Sequence, residues 1–252
     1  MDATFATLAV ALSGAALAGF VQGITGFAFA LVALSVWAWG LPPEIAAQLA
    51  VFGGLLGQFV SFLQVRGGYE WRRILPLVAG GLVGVPIGAF LLHHADPVRF
   101  RFAIGIFLTF YGGYGLIARN PALVKGGGRP LDAVAGFIGG VLGGLGGMSG
   151  FLPAMWTQLR GWSRDLRRAT MQAYNIAMHV FTLSVYAATG AFNLQALKLL
   201  AVTAPALVVA GLFGARVYHR FSEQSFSRFV LGLLLLSGLA MIYGSARALW
   251  GG

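Results

Sequence analysis

No Asp, Glu, Lys or Arg lies between Asp2 and Glu44. A straight helix across that run would extend about 60 Å, at about 1.5 Å per residue. The hydrocarbon core of a bilayer is only about 30 Å thick. The run must break, and Gly23-Ile24-Thr25-Gly26 is the natural place. The rest of the chain has a matching composition, 58% hydrophobic and 10% charged over 252 residues. A soluble domain carries about 25% charged residues. So few charges cannot cover a water-facing surface, so the expected fold class is an all-α polytopic membrane protein. The absence of cysteine excludes disulfides, thiolate metal sites and Cys nucleophiles. Seven acidic residues and four histidines leave little for a carboxylate cage, and no metal or cofactor is expected.

Further charge-poor stretches predict spans over 45–65, 74–92, 102–118, 133–159, 169–189, 199–215 and 229–246. The stretch over 133–159 is again glycine-rich at its middle, from Gly139 to Gly150. The net charge of +10 would suggest nucleic acid in a soluble protein. Here the basic residues sit in short loops, so they report topology instead. Eight simple spans would divide the cations eight against nine, with no bias. If 3–41 and 133–159 are instead hairpins that return to their starting side, the division changes. One side then holds Arg66, Arg72, Arg73, Arg119, Lys125, Arg129, Arg160, Arg164, Arg167, Arg168, Arg216, Arg220 and Arg228, thirteen in all. The other holds Arg99, Arg101, Lys198 and Arg247, which is four. That asymmetry favours the hairpins and puts both termini outside, in the periplasm of a bacterial inner membrane. Parity does not separate a re-entrant hairpin from a pair of short spans.

The two hairpins belong to an internal repeat. Ala18-Gly19-Phe20-Val21 is similar to Ala135-Gly136-Phe137-Ile138, and Gly23-Ile24-Thr25-Gly26-Phe27 to Gly147-Met148-Ser149-Gly150-Phe151. Arg101-Phe102-Ala103-Ile104-Gly105 is similar to Arg228-Phe229-Val230-Leu231-Gly232. The expected units are a first repeat over 1–119, a cytoplasmic linker over 120–130 and a second repeat over 131–252. Each repeat is a hairpin plus three spans. Three is odd, so the halves are expected to lie inverted in the bilayer. Inverted repeats with broken helices characterise secondary transporters, whose site lies where the breaks come together.

The strings Gly19-Phe20-Val21-Gln22-Gly23 with Gly26-Phe27, and Gly136-Phe137-Ile138-Gly139-Gly140 with Gly147-Met148-Ser149-Gly150-Phe151, resemble the TauE/SafE family of membrane permeases. The resemblance covers almost the whole chain. It implies transport of a small anion such as sulfite or an organosulfonate, with export as the direction.

Two groups of residues are candidates for that chemistry. At the breaks, helix ends leave backbone N–H groups unpaired, and helix N-termini attract anions. Gln22, Gly23, Thr25 and Gly26, with Gly147, Ser149 and Gly150, would offer those groups and two hydroxyls. The plainer reading is that the glycines only allow close packing, as in Gly80, Gly84 and Gly88. In the stretch after the second break, Gln172, Asn175, His179, Thr182 and Tyr186 fall within roughly 80° of one another at 100° per residue. One or two such residues would fit ordinary interhelical hydrogen bonding; five on one stripe read as a polar path. His179 titrates near neutrality and is the candidate for proton coupling, though a satisfied core histidine has the same signature. Gln48 and Gln58 are secondary candidates on the first-half counterpart.

His93, His94 and Asp96 read as a solvated loop rather than a metal site. Arg160, Arg164, Arg167 and Arg168 read as topology determinants that meet anionic headgroups and draw anions to the entrance. The glycine faces Gly53/Gly57 and Gly80/Gly84/Gly88 suit packing within a subunit or between subunits of a homodimer. Two other functions remain open. A passive anion channel would use the same polar stripe. An intramembrane serine protease would use Ser149 in Gly147-Met148-Ser149-Gly150 with His179 as its base.

Overall fold

The computed structural model describes residues 5–26, 28–62, 68–117, 124, 126–217 and 223–250. The loop positions of Arg66, Arg119, Lys125 and Arg220, and Phe27 of the first break, lie outside the described residues. Among the described residues every regular element is an α-helix. In chain order these are α1 (Phe5–Thr25), α2 (Phe29–Trp37), α3 (Pro43–Phe62), α4 (Trp71–His93) and α5 (Pro97–Ile117), followed by α6 (Gly128–Gly146), α7 (Phe151–Leu159), α8 (Arg164–Ala188), α9 (Leu194–Val217) and α10 (Glu223–Trp250). The chain is a polytopic membrane protein: α1, α4, α5, α9 and the Arg228–Trp250 part of α10 are long and apolar enough to cross a bilayer.

Local chemistry sets several boundaries. Pro43 and Pro97 open α3 and α5, where a missing N–H costs nothing. Asp96 accepts from the backbone N–H of Val98 and Arg99 at 3.0 and 2.9 Å, so this member of the His93-His94-Asp96 group is a helix cap. Ser163 caps α8 by accepting from Leu166 N–H at 3.4 Å.

Both predicted breaks are present. Each long arm ends on a left-handed glycine, Gly26 with φ +82° and Gly147 with φ +74°. Gly26 N–H donates to Gln22 O at 2.7 Å, and Gly147 N–H to Gly143 O at 2.7 Å. The returning arms α2 and α7 have nine residues each. That is about 13 Å, less than half the hydrocarbon thickness.

Most of the close packing comes from glycine. On α4, a Cβ at Gly80, Gly84 or Gly88 would strike the carbonyls of Ala133, Phe137 and Val141 on α6. In return, Gly136, Gly140 and Gly144 of α6 rest on the backbone of Leu77, Gly81 and Val85. The same device joins α1 to α9, with Gly19 on Leu207, Gly23 on Gly211 and Gly214 on Phe20. It also joins α5 to α10, through Gly105 on Gly238 and Gly112 on Leu231. Gly53 packs on Phe29 and Gly57 on Gln22. All of these faces are consumed within the chain.

The result is a palindromic packing order. Helix α1 packs on α9, α9 on α3, α3 on α8, α8 on α4 and α4 on α6, with α5 against α10. Exchanging the first five helices for the last five leaves this order unchanged. Helices α3 and α8, which carry the buried amides Gln48, Gln58, Gln172 and Asn175, occupy its middle, flanked by α9 and α4. Gly84→Ala forces a methyl into backbone that cannot rotate away, and overpacking of this kind costs about 1–3 kcal/mol. A lower melting temperature in detergent is expected for Gly84→Ala than for Gly232→Ala, since nothing lies within 4 Å of a Cβ at Gly232. Equal melting temperatures would contradict this packing.

Candidate functional site

The α8 stripe turns inward as a unit: Gln172, Asn175, His179, Thr182 and Tyr186 are all buried. Its two ends are anchored. Tyr186 donates to the Gly144 carbonyl of α6 at 2.5 Å. At the other end, the Tyr69 hydroxyl donates to Gln172 Oε1 at 2.9 Å. Partial burial raises the pKa of Tyr69, which keeps the phenol protonated as a donor. Between these anchors, His179 donates from Nδ1 to the Asn175 carbonyl at 2.5 Å. The Asn175 side chain accepts from Ser149 Oγ at 3.1 Å and lies directly against Gly150, at the N-terminus of α7.

Helix α3 supplies the opposite wall. Its Gly54 faces the Nε2 edge of the His179 ring, and its Gly57 faces the Gln22 amide. The two breaks touch α3 at different levels. Gly147 lies against Ala50 and Val51, whereas the Gly26 carbonyl accepts from Gln58 Nε2 at 3.1 Å. Seven residues from Val51 to Gln58 correspond to about 10 Å along the helix. The breaks therefore bracket the Gly53-Gly54 and Gly57 stretch instead of touching each other. Leu34 of α2 meets the second break at Gly146.

The first break is mostly occupied with its own structure. Gln22 Oε1 accepts from the Phe29 N–H at 2.9 Å and caps α2. Thr25 donates to Val21 O at 2.9 Å and accepts from Ala28 N–H at 3.3 Å. The sequence strings place Thr25 and Ser149 at equivalent positions. In the structure the equivalent residues are the turn glycines Gly26 and Gly147, so Thr25 precedes its turn and Ser149 follows its own. Thr25 is half-buried and serves the turn, whereas Ser149 is fully buried and serves Asn175.

What remains unsatisfied is informative. Gln22 Nε2, Gln58 Oε1 and Gln172 Nε2 are buried and have no hydrogen-bond partner among the described residues. A buried donor left unpaired costs about 1–3 kcal/mol, and such groups call for an explanation. Gln22 Nε2 packs directly against side-chain-free Gly57. Gln48 has no such freedom. It donates to Ala191 O at 2.7 Å and accepts from Asn193 N–H at 2.9 Å, clamping the α8–α9 loop.

Among the described residues no hydrogen bond joins Ser149 to His179: Ser149 Oγ donates to Asn175 Oδ1, and His179 Nδ1 donates to the Asn175 carbonyl. Buried amides, a hydroxyl and an imidazole gathered on α3, α8 and the second break, with α4 and α9 packed outside them, are the arrangement expected of a membrane transport protein. The Sulfite exporter TauE/SafE family matches residues 11–241, and the chain belongs to that family. It is 25% identical over 237 residues to the probable sulfite/organosulfonate exporter TauE of Cupriavidus necator, covering 91% of each chain. No solved structure matches the chain.

Gln48→Ala removes both anchors of the loop and leaves two backbone groups unpaired. Faster hydrogen exchange over 189–194 is expected, with a stability loss of about 1–3 kcal/mol and unchanged anion affinity. Loss of affinity without faster exchange would instead make Gln48 a ligand.

Proposed function

We propose that the protein is a secondary transporter that exports a small oxyanion, sulfite or a short organosulfonate, across a bacterial inner membrane. The observation that carries this reading is the full-length similarity to a sulfite/organosulfonate exporter. The thirteen-to-four cation division and the palindromic helix order support two inverted halves, with both termini periplasmic.

The anion sits on α3 between the levels of the two breaks. Gln22 Nε2 and the Ser149–Asn175 pair supply donors, and the nearby N-terminus of α7 supplies partial positive charge. No Lys or Arg lies mid-span in this region, so the charge comes from dipoles and from His179. With Nδ1 donating to a carbonyl, neutral His179 presents Nε2 as an acceptor, which repels an anion. Protonated Nε2 donates, so the anion binds together with a proton. Gln172, Gln58 and Thr182 line the approach, and Tyr186 closes the outer end.

Equilibrium binding of sulfite and short sulfonates to purified protein tests the site. Asn175→Ala and Ser149→Ala are each expected to weaken binding about tenfold, the value of one charge-assisted hydrogen bond. Thr25→Ala is expected to change affinity little. Unchanged affinity in both of the first two variants would remove the site. Lowering the pH is expected to raise wild-type affinity, while His179→Gln, which keeps a donor but cannot titrate, becomes insensitive to pH. A retained pH dependence would place coupling elsewhere. In proteoliposomes, saturating flux with counterflow is expected; flux linear in substrate and without counterflow would identify a channel.

A further inference from the structure

We infer that a cleft at the N-terminal ends of α4 and α6 binds the headgroup of an anionic phospholipid. The cleft has a volume of about 670 Å³ and is lined by Arg72, Arg73, Arg129 and Arg160, with Glu70 and Asp132. It lies at helix ends, away from the Gly54–His179 region, so the inference goes beyond the transport reading and does not depend on it.

The two acids are already engaged. Arg73 Nε pairs with Glu70 at 2.8 Å, and the Arg73 guanidinium lies 5.5 Å from the Trp162 ring centre. Asp132 is buried, accepts from Trp156 Nε1 at 2.7 Å, and has Arg160 Nε at 3.6 Å. Arg160 also donates from Nη1 to the Gly126 carbonyl at 2.7 Å. These pairs form the wall of the cleft. Arg160, which the sequence suggested for anion capture, is thus a structural residue here. Arg72 and Arg129 are different. Both are exposed, and neither makes a hydrogen bond or ion pair with any described residue. Each is the second residue of its helix, so two helix dipoles reinforce two uncompensated guanidiniums. Guanidinium forks match the paired oxygens of a phosphate.

The surroundings choose between a lipid phosphate and a free oxyanion. Within about two turns of the mouth, both helices expose apolar side chains: Leu75 on α4 at 57%, and Leu131 and Val134 on α6 at 42% and 51%. Trp71, 58% exposed, sits at the boundary, the depth at which tryptophan anchors membrane proteins. A charged mouth directly above an apolar wall fits an amphiphile; a free anion would use only the mouth. This is also the face to which the cation division assigns the cytoplasm, where anionic lipids attract basic pockets.

The test uses the whole protein in neutral detergent, titrated with phosphatidylglycerol, phosphatidylcholine or inorganic phosphate, and read by native mass spectrometry and thermal shift. Phosphatidylglycerol is expected to bind the wild type more tightly than phosphatidylcholine, by about fivefold for each free arginine. Arg72→Gln/Arg129→Gln is expected to abolish that preference. Arg216→Gln, an exposed change on the same predicted face but outside the cleft, is expected to preserve it. If the double variant does not fold, Arg72→Gln and Arg129→Gln are read singly, each losing about fivefold. Equal binding of the two lipids, or a preference surviving the arginine changes, would overturn the inference. Displacement of phosphatidylglycerol by millimolar inorganic phosphate would overturn it in favour of a free-anion site.

Discussion

Backbone-to-backbone contact through glycine is the constraint on which this molecule depends. Within a bilayer, apolar side chains gain nothing by leaving lipid for one another, so helices associate by close packing and interhelical hydrogen bonds. Gly80, Gly84 and Gly88 let α4 press on the α6 backbone, and Gly136, Gly140 and Gly144 return the contact. Gly19, Gly23 and Gly214 do the same between α1 and α9. The halves of the chain are interlocked, and each long arm is held by a helix from the other half.

That interlock is what makes the polar stripe of α8 tolerable. Helix α8 carries Gln172, Asn175, His179 and Thr182 at membrane depth, where each polar group needs a partner or a function. With α4 and α9 outside them, α8 and α3 face each other across Gly54, while Gly57 meets Gln22 of α1. Some polar groups there are spent on architecture. Thr25 secures a turn, Gln48 clamps a loop, and Tyr186 ties α8 to α6. Others, notably Gln22 Nε2, have no partner among the described residues.

The sequence was legible where one residue type carries one physical demand. An uncharged run too long for one crossing announced the first break, and the 3.6-residue period announced the inward stripe of α8. What sequence could not show was register and partnership. The strings Gly23-Ile24-Thr25-Gly26 and Gly147-Met148-Ser149-Gly150 look equivalent letter by letter. Only backbone conformation reveals that Gly26 and Gly147 are the matching residues, which separates Thr25 from Ser149. Likewise, Gln48 and Gln58 resemble one another as lone amides on an apolar helix. Their roles are set by Ala191, Asn193 and Gly26, partners distant in the chain whose proximity no local pattern encodes. The glycine face of α4 was visible, but not that α6 would fill it.

In the proposed transport reading, a small anion lies in the space between α3 and α8 beside Ser149. Because the chain has no cysteine, one introduced thiol reports on that space directly. Ser149→Cys is nearly isosteric, and its alkylation by a small maleimide can be timed with and without a short sulfonate. The sulfonate is expected to slow alkylation in a saturable manner, while a lipid-facing Val209→Cys reacts at the same rate in both conditions. Equal rates at position 149 with and without the sulfonate would contradict it.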